Sequence, residues 1–99
     1  MSLNRYAKRR DENEAEIVAA LETIGCTVWR LDNPVDLLVG RGAVNILIEV
    51  KDGAKSPSRR RRTPLQRKFM ESWKGQVCVV ENPLQAISIV TDLTTKNAY

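Results

Sequence analysis

The segment "VDLLVGRGAVNILIEVK", residues 35–51, is strand-forming almost throughout, yet it carries Asp36, Glu49 and Lys51. "VDLLVG" (35–40) and "VNILIEVK" (44–51) read as two strands, and "RGA" between them as a tight turn, so the segment predicts a β-hairpin. Side chains of a strand alternate between its faces. Asn45, Leu47, Glu49 and Lys51 therefore share one side, and Val44, Ile46, Ile48 and Val50 the other. Counting back through the turn sets Asp36 opposite Glu49 or Lys51. One face of the hairpin then gathers two acids and a lysine while the other is left to form core. A blander arrangement competes with this one: Asp36 caps the turn after Pro34, and Glu49 and Lys51 form an ordinary surface ion pair.

Upstream, "TVWRLD" (27–32) is rich in β-branched and aromatic residues and reads as a strand, ended by Asn33 and Pro34. Before it, residues from about 4 to 24 predict a long helix, with Ile17, Val18, Leu21 and Ile24 at helical spacing and Gly25 as the stop. Glu14 lies in line with that apolar stripe, where an acid is costly unless a cation neutralises it. The alternative places it one turn beyond the buried part, near the helix amino end, where negative charge is favourable.

Downstream, "DGAKSPSRRRRT" (52–63) is a polar, basic loop ending in Thr63 as N-cap, with Pro64 at the first position of a second helix running to about Lys74. Leu65, Phe69 and Trp73 form its apolar stripe, Gln66 lines up with Met70 and Trp73, and Gly75 ends it. "QVCVVE" (76–81) is a short continuous apolar run, consistent with a strand buried on both faces. Pro83 opens a third helix with the stripe Ala86, Ile89, Val90 and Leu93, and "TTKNAY" (94–99) reads as a loose tail. The order α-β-β-β-α-β-α without a repeat or linker predicts one α/β domain over residues 1–99, with its core from about 11 to 93: a mixed central sheet flanked by helices.

Composition agrees. The chain has 99 residues, 42% hydrophobic and 28% charged, enough for one core. Its formal charge is +4, and the excess is concentrated in Lys8, Arg9 and Arg10 and in Lys55, Arg59, Arg60, Arg61, Arg62, Arg67 and Lys68. Concentrated base suits a polyanion, most often nucleic acid; a solvated surface and a membrane-binding patch are the alternatives. No apolar run reaches the roughly 18 residues of a membrane span, and the amino end lacks a signal-peptide core, which predicts a soluble intracellular protein. The chain has no histidine, so Ser-His-Asp and Cys-His chemistry and zinc–histidine sites are excluded. Cys26 and Cys78 are isolated and read as buried, reduced thiols. Any metal would be held by oxygens, which select magnesium, manganese or calcium.

An acid opening one strand, Glu-x-Lys on the next and an upstream helical Glu together resemble the PD-(D/E)XK nuclease superfamily, in particular its stand-alone, phage-type VRR-NUC branch. "DENEAEIVAALETIG", "VDLLVG", "ILIEVKDG", "TPLQRKFMESWKGQVCVV" and "NPLQAI" carry the resemblance in order across roughly residues 11–90. One position departs from the pattern: the residue before the motif aspartate, usually proline, is Val35, with Pro34 displaced by one.

The resemblance implies a restriction-endonuclease-like core with an extra C-terminal helix. It implies a metal-dependent DNA endonuclease, with Asp36, Glu49, Lys51, Glu14 and Gln66 as its catalytic set. Asp36, Glu49, the Val50 carbonyl and Glu14 would hold Mg2+ or Mn2+, and Lys51 would position or help deprotonate the attacking water. Lys55, Arg59, Arg60, Arg61, Arg62, Arg67 and Lys68 would grip the DNA backbone. It further implies a homodimer selective for branched DNA such as a four-way junction, acting in the cytoplasm of a bacterial host and of phage or prophage origin. Leu84 and Ile87, off the inner stripe of the third helix, are candidate dimer contacts. Two readings compete with the enzyme: a non-catalytic nucleic-acid-binding module, and an assembly subunit using the same fold.

Overall fold

The computed structural model describes the backbone of residues 2–51 and 63–96, and side chains over 13–51 and 63–95. Lys55, Arg59, Arg60, Arg61 and Arg62 lie outside the described residues, as do the side chains of Lys8, Arg9 and Arg10. The elements follow the predicted order: α1 (Ser2–Thr23), β1 (Thr27–Arg30), β2 (Leu37–Arg41), β3 (Val44–Val50), α2 (Pro64–Ser72), β4 (Val77–Val80) and α3 (Pro83–Lys96). The strands form one mixed sheet in the order β1-β2-β3-β4, with β1/β2 and β2/β3 antiparallel and β3/β4 parallel.

The hairpin turns more tightly than "RGA" implied, because Arg41 is still paired, opposite Val44. Gly42 (φ 57°) and Ala43 (φ 66°) alone make the turn, and both are left-handed. That handedness matches the twist of the flanking strands. Glycine adopts it freely, whereas an L side chain is strained there by about 1–2 kcal/mol. Ala43→Gly is therefore expected to stabilise the fold by about 1 kcal/mol, read as a higher urea midpoint at unchanged slope.

The core lies on one face of the sheet. Leu37, Val39, Ile46, Ile48 and Val80 are buried there against Ile17 and Leu21 of α1 and Ala86 and Val90 of α3. Full burial of such side chains contributes roughly 1.5–3 kcal/mol each, so this layer supplies most of the driving force. The predicted stripes of α1 and α3 are thus the ones that pack. Val35, standing where the nuclease pattern has proline, is fully buried too.

The opposite face is far more open. Trp29, Leu38, Leu47 and Val77 are register partners in one row across all four strands, and Trp29 remains 68% exposed.

Two sequence expectations are corrected, and one apolar stripe proves to be uncovered. The first strand ends at Arg30 rather than Asp32, because Asp32 takes a left-handed conformation (φ 71°) and the chain turns back. The turn is closed by the Leu31 N–H, which donates to the Asp36 carbonyl at 2.8 Å. The stripe Leu65, Phe69, Trp73 does not enter the core: no residue of α2 is buried, Leu65 is 60% exposed, and Trp73 is the helix C-cap. Helical periodicity shows that a helix has an apolar face but not that anything covers it. Finally, the tail is not loose at its start, since α3 runs on to Lys96 and Thr94 is buried. The Thr94 hydroxyl donates to the Val90 carbonyl and accepts from the Arg41 guanidinium, which also donates to the Ile24 carbonyl at 2.9 Å. Arg41 thereby ties the end of α1 to the end of α3.

Both cysteines are free thiols. Burial pushes the Cys26 thiol up, partly offset by Arg41, and burial likewise raises Cys78. A raised thiol pKa contributes stability below the unfolded value of 9.0 and loses it as pH climbs through the folded value. Both thiols are accordingly expected to react with an aromatic disulfide reagent at pH 8 at least about tenfold more slowly in the folded protein than in denaturant.

Candidate active site

Asp36 and Glu49 come together at one end of the hairpin. Leu37 pairs with Ile48 as the last pair of that register, and Asp36 and Glu49 are the next residues beyond it on either side. Each is only 6% exposed. Asp36 is fixed locally: its Oδ2 accepts the Val50 backbone N–H at 2.7 Å, so the side chain of one strand end caps the backbone of the other.

Lys51 follows on the same face as Glu49, and its backbone is held on both sides. Its N–H donates to the Val80 carbonyl at 2.8 Å, and its carbonyl accepts the Asn13 amide at 3.3 Å. The same Asn13 amide also donates to the Glu81 carbonyl at 3.3 Å, bridging the ends of β3 and β4 from α1.

Glu14 is buried at 6% as its place on the helical stripe predicted, and the required cation is Arg30. The Arg30 Nε stands 3.4 Å from the Glu14 Oε2. By strand alternation Arg30 lies on the helix-covered side of β1, whereas Asp36 and Glu49 follow the open side. Among the described residues no group of three or more Asp, Glu, Cys or His side chains is disposed to hold a metal ion.

Gln66 is likewise engaged locally. Its Oε1 accepts the Thr63 N–H at 3.0 Å while its own N–H donates to the Thr63 hydroxyl at 3.2 Å, a complete capping box at the start of α2. Arg67 and Lys68 are exposed on that helix. Glycine at position 75 has a steric cause: a Cβ there would meet the Trp73 indole at 2.8 Å. That indole is in turn stacked on Phe69, with ring centroids 5.1 Å apart.

No protein-family model, curated protein or solved structure matches the chain.

Sequence reasoning did not find Asn13 or Arg30. Both act on groups at least 16 residues away, and neither an isolated Asn on a helix nor an Arg ending a strand signals its partner.

The chemistry open to this site is that of hard oxygen donors. Asp36 and Glu49 supply carboxylate oxygens, the donors that hard divalent cations take. Magnesium, which keeps several of its waters, requires only one or two carboxylates.

Proposed function

We propose that the protein is a metal-dependent nuclease acting on DNA, built on a restriction-endonuclease-like version of its α/β fold. The observation that carries this reading is the burial of both Asp36 and Glu49, the residues that flank the Leu37–Ile48 pair, with Lys51 two residues beyond Glu49. Asp36, Glu49 and the Val50 carbonyl would hold Mg2+ or Mn2+, which when bound neutralises phosphate charge and lowers the pKa of water. Lys51 supplies a positive charge beside the phosphate, orienting the attacking water and offsetting charge that develops on the phosphoryl oxygens. The fixed backbone on both sides of Lys51 limits where its side chain can start, so little reorganisation is needed at the moment of reaction.

Glu14, which also pairs with Arg30, would join Asp36 and Glu49 at the metal directly or through water. Gln66 orders the first turn of α2, which carries Arg67 and Lys68 toward the DNA backbone. That contact, with the basic run before it, is sequence-blind and salt-sensitive, which favours selection by DNA shape, such as a four-way junction cut by a homodimer.

A panel of duplex, single-stranded, flapped and four-way-junction DNA, each with and without magnesium, tests the proposal. Magnesium-dependent cleavage with preference for a branched substrate is the expected result. Tight binding to all four with no cleavage in either magnesium or manganese would favour a binding module instead, a reading that draws on the absence of a three-acid group among the described residues.

A further inference from the structure

A cleft of about 430 Å³ lies between the Asn33–Pro34 turn and α2, lined by Asn33, Pro34, Leu65, Lys68, Phe69 and Ser72. Its volume falls within the roughly 300–1,000 Å³ of small-ligand sites. None of these residues belongs to the acid pair, and none contributes to the core. The cleft nevertheless adjoins the pair: Pro34 precedes Asp36 by two residues, so their Cα atoms are at most roughly 7 Å apart. That span is comparable to a single sugar-phosphate step of an unstacked strand.

The geometry points to this cleft as the seat of one unpaired nucleotide of the bound strand, next to the phosphate that a cation at Asp36 and Glu49 would hold. The inference rests on the nuclease reading for its substrate, but its test reads binding alone. The lining matches a nucleotide part by part. Pro34, Leu65 and Phe69 offer apolar walls to a flat base, and Phe69 is already stacked on Trp73, so a base entering against it extends an existing aromatic stack. The Asn33 amide can both donate to and accept from a base edge, and the Lys68 ammonium suits the phosphate. A base stacked and paired inside a duplex cannot lie flat against these walls, whereas one already unpaired does so without the cost of breaking a pair. This accounts for the uncovered apolar face of α2: Leu65, 60% exposed, is the wall of a binding site rather than a failed core residue.

Two dye-labelled duplexes of one sequence, identical except that one carries a single extra unpaired 2-aminopurine, are titrated by anisotropy with the wild-type protein in a metal chelator, so that nothing is cut. The bulged duplex is expected to bind about tenfold more tightly, with 2-aminopurine fluorescence falling as the base stacks. Leu65→Trp fills the cleft from an exposed helix position; it is expected to remove the preference while leaving affinity for the paired duplex unchanged. Asn33→Ala, on the opposite wall, is expected to weaken the preference about threefold. Equal affinity of the wild type for both duplexes, a rise in 2-aminopurine fluorescence on binding, or a preference undiminished in Leu65→Trp would overturn the inference. Because no divalent ion is present, failure here is separate from a failure to cleave in magnesium.

Discussion

Glu49→Gln is expected to lower magnesium-dependent cleavage by about a hundred- to a thousandfold without lowering stability. The substitution removes one of two charges that flank the Leu37–Ile48 pair, each only 6% exposed. Losing a charge that acts on the reacting phosphate costs on this order in rate, whereas glutamine keeps the volume of the side chain and its capacity to hydrogen-bond. Lys51→Ala is expected to fall as far in rate for a different reason, loss of the cation beside the phosphate, and to keep its affinity for DNA, since backbone grip belongs to the basic run. Initial rates on one branched substrate, together with urea unfolding of each variant, measure both halves. A structural role for Glu49 would give the reverse pattern: a destabilised protein whose remaining folded fraction cleaves normally.

The largest expected loss of stability is at Ile48. It is completely buried at the centre of the sheet, opposite Leu37 on one side and Cys78 on the other. Removing its three outer carbons leaves a cavity bounded by strands that cannot close over it, and Ile48→Ala should cost about 3–4 kcal/mol. For a domain of this length that is a large part of a total of roughly 5–10 kcal/mol, and should lower the melting temperature by about 15 °C. Leu65→Ala, equally apolar but 60% exposed on α2, is expected to change stability by less than about 0.5 kcal/mol. Thermal unfolding of the two variants side by side separates the covered stripe from the open one.

The hairpin and its charged face were legible in residues 35–51 because strand alternation and turn length are local rules: they set Asp36 opposite Glu49 or Lys51 before any tertiary contact is considered. The stripes of α1 and α3 were legible for the same reason. What periodicity could not say is which stripes are covered, and α2, with the same pattern, is left open. The acid on α1 was recognised as needing a cation, but Arg30 is reached only once β1 has been laid beside α1. Asn13 is further still from legible: its amide bonds the carbonyls of Lys51 and Glu81, 38 and 68 residues away, and only the assembled sheet brings those carbonyls within reach of one side chain. Gln66 shows the opposite case, a residue whose nearest partner, Thr63, is three positions away and takes its side-chain oxygen.

The central claim, that Asp36 and Glu49 together form a divalent-cation site, is tested most directly by calorimetric titration of Mn2+ into the protein bound to a four-way junction. Lys51→Ala serves as the reference because it retains both acids and should not consume the DNA. The account predicts saturable Mn2+ binding to that complex and at least about tenfold weaker binding when Glu49→Gln is added. Equal Mn2+ affinity in the two complexes would contradict it.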